Sequence, residues 1–433
     1  MPISPLSRRA AAAVPLLASA VLLTACGSGG GSGDDDASGR PEGGITFQTW
    51  NLRSNFKDYF EGLIGEFEKQ NPDVKVKWLD QPADNYAEKL GADAGAGTLP
   101  DVVNVSPDLS YPLAKAGTLL NLDREKAAAR YKDEYTPEAW QGNTLPGLDG
   151  AYAFPWYLNT GPLFYNKALF RQAGLDPEKP PKTYDELFAT ATALARKSGG
   201  KTATLAGTPS IEDFGRYGVR LMNADATKFT YNEPRGVELL GKYKELYGIG
   251  GLDTQALTNT ADTSGQKFLE QKVAINPGSA HDLDTFKKNA PALYKELGIT
   301  DAPNNNGKPN MYVMGLAVSK QSRHKAAAVA FAHFVTDRGN QEGFAHKVAV
   351  FPSTKGSLDD AYWTKDDGTD EGRVRVASAK ILKGAVNYTP VVMSEEMKVI
   401  LKNEVAKALQ GKKSPEQALD DAVAQSDKLL GQG

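Results

Sequence analysis

Apolar positions change their period abruptly along this chain, and the changes mark out structural elements. Ile45, Thr46, Phe47, Gln48, Thr49 and Trp50 form a run rich in β-branched and aromatic residues, the composition of a strand. Over 55–69 the apolar positions Phe56, Tyr59, Phe60, Leu63, Ile64 and Phe67 recur three and four apart, which predicts a helix stopped by Asn71 and Pro72. A second strand follows over 74–79, a second helix over 85–94 and, after a turn at 97–100, a buried strand over 101–105. This alternation predicts a parallel sheet covered by helices. Such sheets gather ligands at the carboxyl ends of their strands, here 50–55, 80–85 and 106–110.

Past a turn at 147–150 and an extended stretch at 151–155 the alternation resumes. Helices are predicted over 167–173, 183–198, 234–247 and 264–271, with strands near 202–207 and 272–276. Asn166 is suited to cap the helix it precedes, and Thr183 with Glu186 fits a capping box ahead of Leu187, Ala191 and Leu194. No glycine-rich dinucleotide fingerprint follows a strand and no phosphate-binding loop is present, so a nucleotide domain is not supported.

The N-terminal pattern differs from all of this. Arg8 and Arg9 precede an apolar run, 10–23, that is shorter than the roughly 20 residues of a membrane-spanning helix and predicts a cleaved signal peptide over 1–25. The run ends in Leu23, Thr24, Ala25 and Cys26, which resembles the lipobox of bacterial lipoproteins. That resemblance implies lipidation of Cys26 and attachment to the extracytoplasmic face of the cell membrane. Cys26 is the only cysteine, so no intrachain disulfide is expected. Residues 27–44 are mostly Gly, Ser, Asp and other polar types and read as a flexible tether, with Asp34 to Asp36 a solvated charge run within it. The 433 residues, 40% of them apolar, are enough for two domains. With 50 basic against 53 acidic residues, a nucleic-acid partner is not expected.

Several segments carry a resemblance to the bacterial extracellular solute-binding proteins, the family of the maltose- and oligosaccharide-binding proteins. Residues 67–76 resemble its first helix and second strand, and 97–102 its G-x-x-P-D-V segment. Residues 165–174 read Y-N-K-x-L-F-x-x-A-G and 180–187 read P-P-x-T-x-x-E-L, the most specific match. Residues 268–275 resemble F-x-x-G-K-A-A-M, with Gln271 at the usual glycine. Residues 315–319, the helix at 325–336 and Phe351-Pro352 complete it. The resemblance implies an α/β fold like that of the periplasmic binding proteins, with two α/β lobes, a hinge and an interlobe ligand cleft. It places a first lobe at 45–150 with 315–349 and a second at 155–313 with 353–433, with crossings near 151–155, 314–319 and 350–353. It also implies a monomeric, non-enzymatic binding component of an ABC importer that hands a mono- or oligosaccharide to permease subunits in the membrane.

Sugars present C–H faces and hydroxyl rims, so candidate ligand-binding residues pair aromatics with amides and charged groups. In the first lobe these are Trp50, Asn51, Arg53, Asn85, Ser106 and Asp108, with core packing the competing reading for Trp50. Trp156, Tyr157 and Asn159 stand beside a proposed crossing. In the second lobe the candidates are Asp213, Phe214, Arg216, Asn276, Gly278, Ser279 and His281, half of the 213–217 cluster fitting ordinary helix surface equally well. Where the family commonly has an aromatic after the glycine, this chain has Ser279. The four histidines, His281, His324, His333 and His346, lack metal-ligand spacing, and no metal or cofactor is expected. Alternatives are the same fold holding a polyamine, glycerol phosphate or an iron complex, a surface glycosidase using two carboxylates, and a sensory partner of a membrane receptor.

Overall fold

The computed structural model describes residues 37–431, apart from 259 and 260, so the predicted signal peptide and Cys26 lie outside the described residues. Its strands are β1 (Gly43–Trp50), β2 (Val74–Gln81), β3 (Val102–Val105), β4 (Phe154–Asn159), β5 (Leu163–Asn166), β6 (Ile275–Pro277), β7 (Leu297–Thr300), β8 (Tyr312–Val318) and β9 (Phe351–Pro352). The predicted opening alternation forms within a residue or two, with helices Arg53–Gln70 and Tyr86–Gly95 between the first three strands.

Six strands make the first sheet, in the order β2-β1-β3-β8-β4-β9. β1 pairs in parallel with β2 and β3, as predicted, but β8 is antiparallel to both β3 and β4. The sheet is therefore mixed. β8 enters from the carboxyl end of β3, Gly315 lying opposite Val105, and from that end it can only run against its neighbour. Side chains alternate between two faces, as the pleat requires. Ile45, Phe47 and Val102 join a large core with Phe60, Phe67, Trp156, Phe331 and Phe344. Val103 and Val105 face a smaller core with Tyr86, Leu90 and Leu113.

Two buried polar side chains hold this sheet together. Asp101 accepts from the Thr46 N–H and hydroxyl, both at 2.7 Å, and from the Ser322 hydroxyl at 2.6 Å, joining β1 to the turn beyond β8. Gln341 donates to the carbonyls of Pro155 (3.0 Å) and Thr336 (2.6 Å) and accepts from the Ser353 N–H (2.7 Å), fixing β4 beside β9.

The second sheet has three antiparallel strands, β6-β5-β7. The strand predicted at 202–207 is reduced to single bridges, Ala203 to Val273 and Leu205 to Leu252. Its partners lie on two different segments, so no continuous ladder forms. Both predicted caps form. Asn166 accepts from the N–H groups of Ala168 and Leu169, and Thr183 and Glu186 make a reciprocal capping box. Gln271, at the position where the family usually has glycine, has φ of 58°, a left-handed conformation suited to glycine.

Core membership shows where the chain passes between lobes. Leu158 belongs to the first large core and Tyr165 to the second; Met311 and Ala385 return to the first, and Val392 lies in the second. The expected division put 155–159 and 353–385 in the second lobe. Instead Trp156, Leu158, Trp363, Ala379 and Leu382 all pack in the first core, because β4 and β9 extend its sheet. The passages near 310 and 386 lie side by side, with Met311 N–H donating to Val386 at 3.0 Å and Val386 N–H to Pro309 at 2.9 Å.

Replacing Gln341 by Leu leaves the Thr336 carbonyl and the Ser353 N–H without these partners. Each buried unpaired group costs about 1–3 kcal/mol, so Gln341→Leu is expected to destabilise the protein by roughly 2–4 kcal/mol. Urea unfolding checks this as a lower midpoint at unchanged slope; an unmoved midpoint removes Gln341 from this role.

Candidate ligand-binding cleft

A groove of about 1170 Å3 opens between the lobes on the face of the first sheet that carries Val103 and Val105. One wall comes from helix Tyr86–Gly95 and helix Pro107–Lys115, and the other from 391–397 and the end of helix Pro415–Leu430. Tyr111 from the first wall and Val391 from the second each pack against cores of both lobes. Glu88, Asp108, Glu395 and Glu396 line the groove against a single cation, Lys115. Glu395 is engaged by Lys398 at 2.6 Å.

Of the first-lobe candidates, Asp108 lines this groove. Trp50 is half-buried and stacks on Tyr86, ring centroids 5.3 Å apart, so its second reading, packing, is the one observed. Asn51 and Asn85 take left-handed conformations, φ 50° and 61°, and shape turns; the Asn51 side chain accepts from the Ala83 N–H. Ser106 sits at the N-cap of the Pro107–Lys115 helix without a side-chain cap bond. Arg53 turns to the other face of the sheet, its guanidinium 4.3 Å over the Trp78 ring and donating to the Trp78 carbonyl at 2.7 Å.

Three aromatic candidates are corrected. Trp156 is 1% exposed and stacks on Phe344 within the first core. Tyr157 packs on Trp156 and Phe344, and burial pushes its pKa up to about 12. Phe214 is fully buried against Tyr231. None of these rings is free to stack on a sugar.

The remaining candidates fall into two smaller cavities. Asn159, Gly278 and Ser279 border one of about 260 Å3 with Phe351 and Trp363, on the opposite face of the first sheet from the groove. A Cβ on Gly278 would lie 2.1 Å from the Phe164 ring, so glycine there is required by packing. Ser279 caps helix Ala280–Asn289 through Asp282, and the His281 side chain lies outside the described residues.

Asp213, Arg216 and Asn276 border a pocket of about 350 Å3 formed entirely by the second lobe. Asp213 accepts from the Tyr184 hydroxyl (2.8 Å), Arg216 Nη2 (2.6 Å), and the Ser210 N–H and hydroxyl (2.8 and 3.0 Å). Burial would raise the Asp213 pKa, but the adjacent Arg216 charge and the bonds from Ser210 and Tyr184 outweigh it and hold it below 3.8. Tyr184 and Tyr243, also in this pocket, and Tyr111 in the groove were not singled out from sequence. Each occupies an ordinary helix position whose outlook depends on distant segments.

With this geometry in hand, the comparisons are consistent. The description of bacterial extracellular solute-binding proteins matches residues 53–342, and the chain belongs to that family. The sn-glycerol-3-phosphate-binding periplasmic protein UgpB of Escherichia coli K12 is 24% identical over 430 residues, covering 90% of this chain and 94% of its own. A putative oligosaccharide periplasmic-binding protein from Synechococcus sp. MITs9220 aligns with a TM-score of 0.74 at 26% identity, over 89% of this chain and 99% of its own. The sugar-binding protein MalE of Xanthomonas citri aligns at 0.73 with 21% identity, over 90% and 98%. The fold is that of the two-lobed periplasmic binding proteins. Among the described residues no helix is long and apolar enough to cross a membrane.

Because the folded state lowers the Asp213 pKa, the carboxylate contributes stability above the ordinary value of 3.8 and loses it as pH falls through its folded value. The difference in Tm between wild type and Asp213→Asn should therefore hold constant from neutral pH down to the ordinary carboxyl range and shrink below it. A difference that shrinks well above that range contradicts the assignment.

Proposed function

We propose that the protein is the lipid-anchored substrate-binding component of an ABC importer, taking up a neutral saccharide between its lobes and passing it unchanged to a membrane permease. The observation that carries this reading is the groove with walls from both lobes. A ligand touching both walls makes all its contacts only when the lobes approach, so its binding shifts the open-closed equilibrium by those extra contacts.

Leu109, Tyr111, Val391 and Met397 offer apolar surface to sugar C–H faces, while the carboxylates accept protons from hydroxyls. The likeness to an oligosaccharide-binding protein from Synechococcus points the same way. A phosphate dianion would enter a groove with four carboxylates and one ammonium, which weighs against the solute named for the UgpB relatives. That acidic excess favours a polyamine as the second reading. The protein acts here as a monomer without covalent chemistry, tethered through a lipidated Cys26.

Thermal shift against maltose, maltotriose, maltotetraose, trehalose, spermidine and glycerol 3-phosphate tests the reading. A saccharide is expected to raise the Tm without being converted, and Tyr111→Ala to weaken its binding by about tenfold. A response to spermidine alone supports the second reading, and steady release of a cleaved product replaces both with an enzyme. Cys26→Ser should shift the protein from the membrane fraction to the soluble fraction; retention in the membrane argues against the anchor.

A further inference from the structure

The second-lobe pocket has features that the interlobe groove does not share. Asn276 is 7% exposed and its amide oxygen has no hydrogen-bond partner, while Arg216 Nε is also buried without one. Both residues border the pocket. A buried acceptor and a buried donor left unpaired are each costly, and native interiors rarely retain them unless something else supplies the bond.

The unmet bonds restrict what that partner can be. The Arg216 charge is already matched by Asp213 at 2.6 Å, and both Asp213 oxygens are occupied, so the pair presents no net charge to a guest. A fully ionised phosphate or carboxylate offers acceptors only and leaves Asn276 Oδ1 unmet. An ammonium offers donors only and leaves Arg216 Nε unmet. A hydroxyl both donates and accepts, so a molecule bearing several hydroxyls can meet both groups. Water has the same capacity, but the pocket of about 350 Å3 is many times the roughly 30 Å3 of one water. Leu163, Leu187, Leu205 and Pro303 give it apolar walls, which suit the C–H faces of a ring better than a water cluster.

We propose that this pocket is a subsite for one sugar ring, with Asn276 and Arg216 reading its hydroxyls. The subsite lies wholly within the second lobe, so that lobe holds a ring before the lobes approach. The assignment rests on the saccharide reading above.

Calorimetric titration of the folded protein with maltose, maltotriose, trehalose and their monodeoxy derivatives tests it. Asn276→Leu removes the amide, and Gly207→Leu narrows the pocket from a position whose added Cβ meets nothing within 4 Å. Both variants are expected to bind the saccharide at least tenfold more weakly with near-native circular dichroism. The deoxy derivative lacking the hydroxyl read by Asn276 should bind wild type about tenfold more weakly than the parent sugar, yet bind Asn276→Leu as well as the parent does. If wild type binds a saccharide and both variants match it, the subsite is wrong and the function stands. If no saccharide binds wild type, both fall.

Discussion

Strand β8 is the constraint on which the rest of the molecule depends. It is hydrogen-bonded along one edge to β3 and along the other to β4, so the first sheet is incomplete until the chain has built most of the second lobe and come back. Contacts this distant in sequence close a very large loop before any of their stabilisation is realised. The return also requires close backbone packing. A Cβ on Gly315 would stand 2.7 Å from Ala153 and 2.9 Å from Asn143 Oδ1. Because β4 leads out of the first lobe and β8 leads back in, two of the passages between lobes lie on adjacent strands, with the third joining them through Val386.

That arrangement positions the cavities. The groove opens on the face of the first sheet that carries Val103 and Val105, and the cavity bordered by Asn159 and Gly278 lies on the face that carries Trp363 and Phe351. The second-lobe pocket is independent of both, being closed by strand ends and helices of that lobe alone. Its polar groups differ in kind from those of the groove. The groove has an excess of carboxylates, whereas Asp213 and Arg216 neutralise one another and leave neutral hydrogen-bonding groups unmet.

The candidate residues were legible in proportion to how local their surroundings are. Asp108, one residue into a helix that follows a strand, reaches the groove as its position implies. Trp156 does not, because it shares the strand period of Phe154 and Leu158 and points with them into the core. Tyr157 ought to point the other way, but the register of β4 shifts between Pro155 and Tyr157 and turns it toward the same core. Phe214 was a cluster neighbour of Asp213 and Arg216 in sequence, yet the helical turn separates them. The charged pair borders the pocket while the ring is buried.

Periodicity, capping and the order of the opening strands were readable from the chain because they depend on residues within one or two turns of each other. The Asn166 cap and the Thr183–Glu186 box are of this kind. Sheet partners were not readable in the same way. Nothing near β8 states that it will lie between β3 and β4, or that 353–385 will pack against the first core rather than the second. Those outcomes follow from which apolar faces remain uncovered once both lobes have formed, a property of the assembled chain and of no single segment.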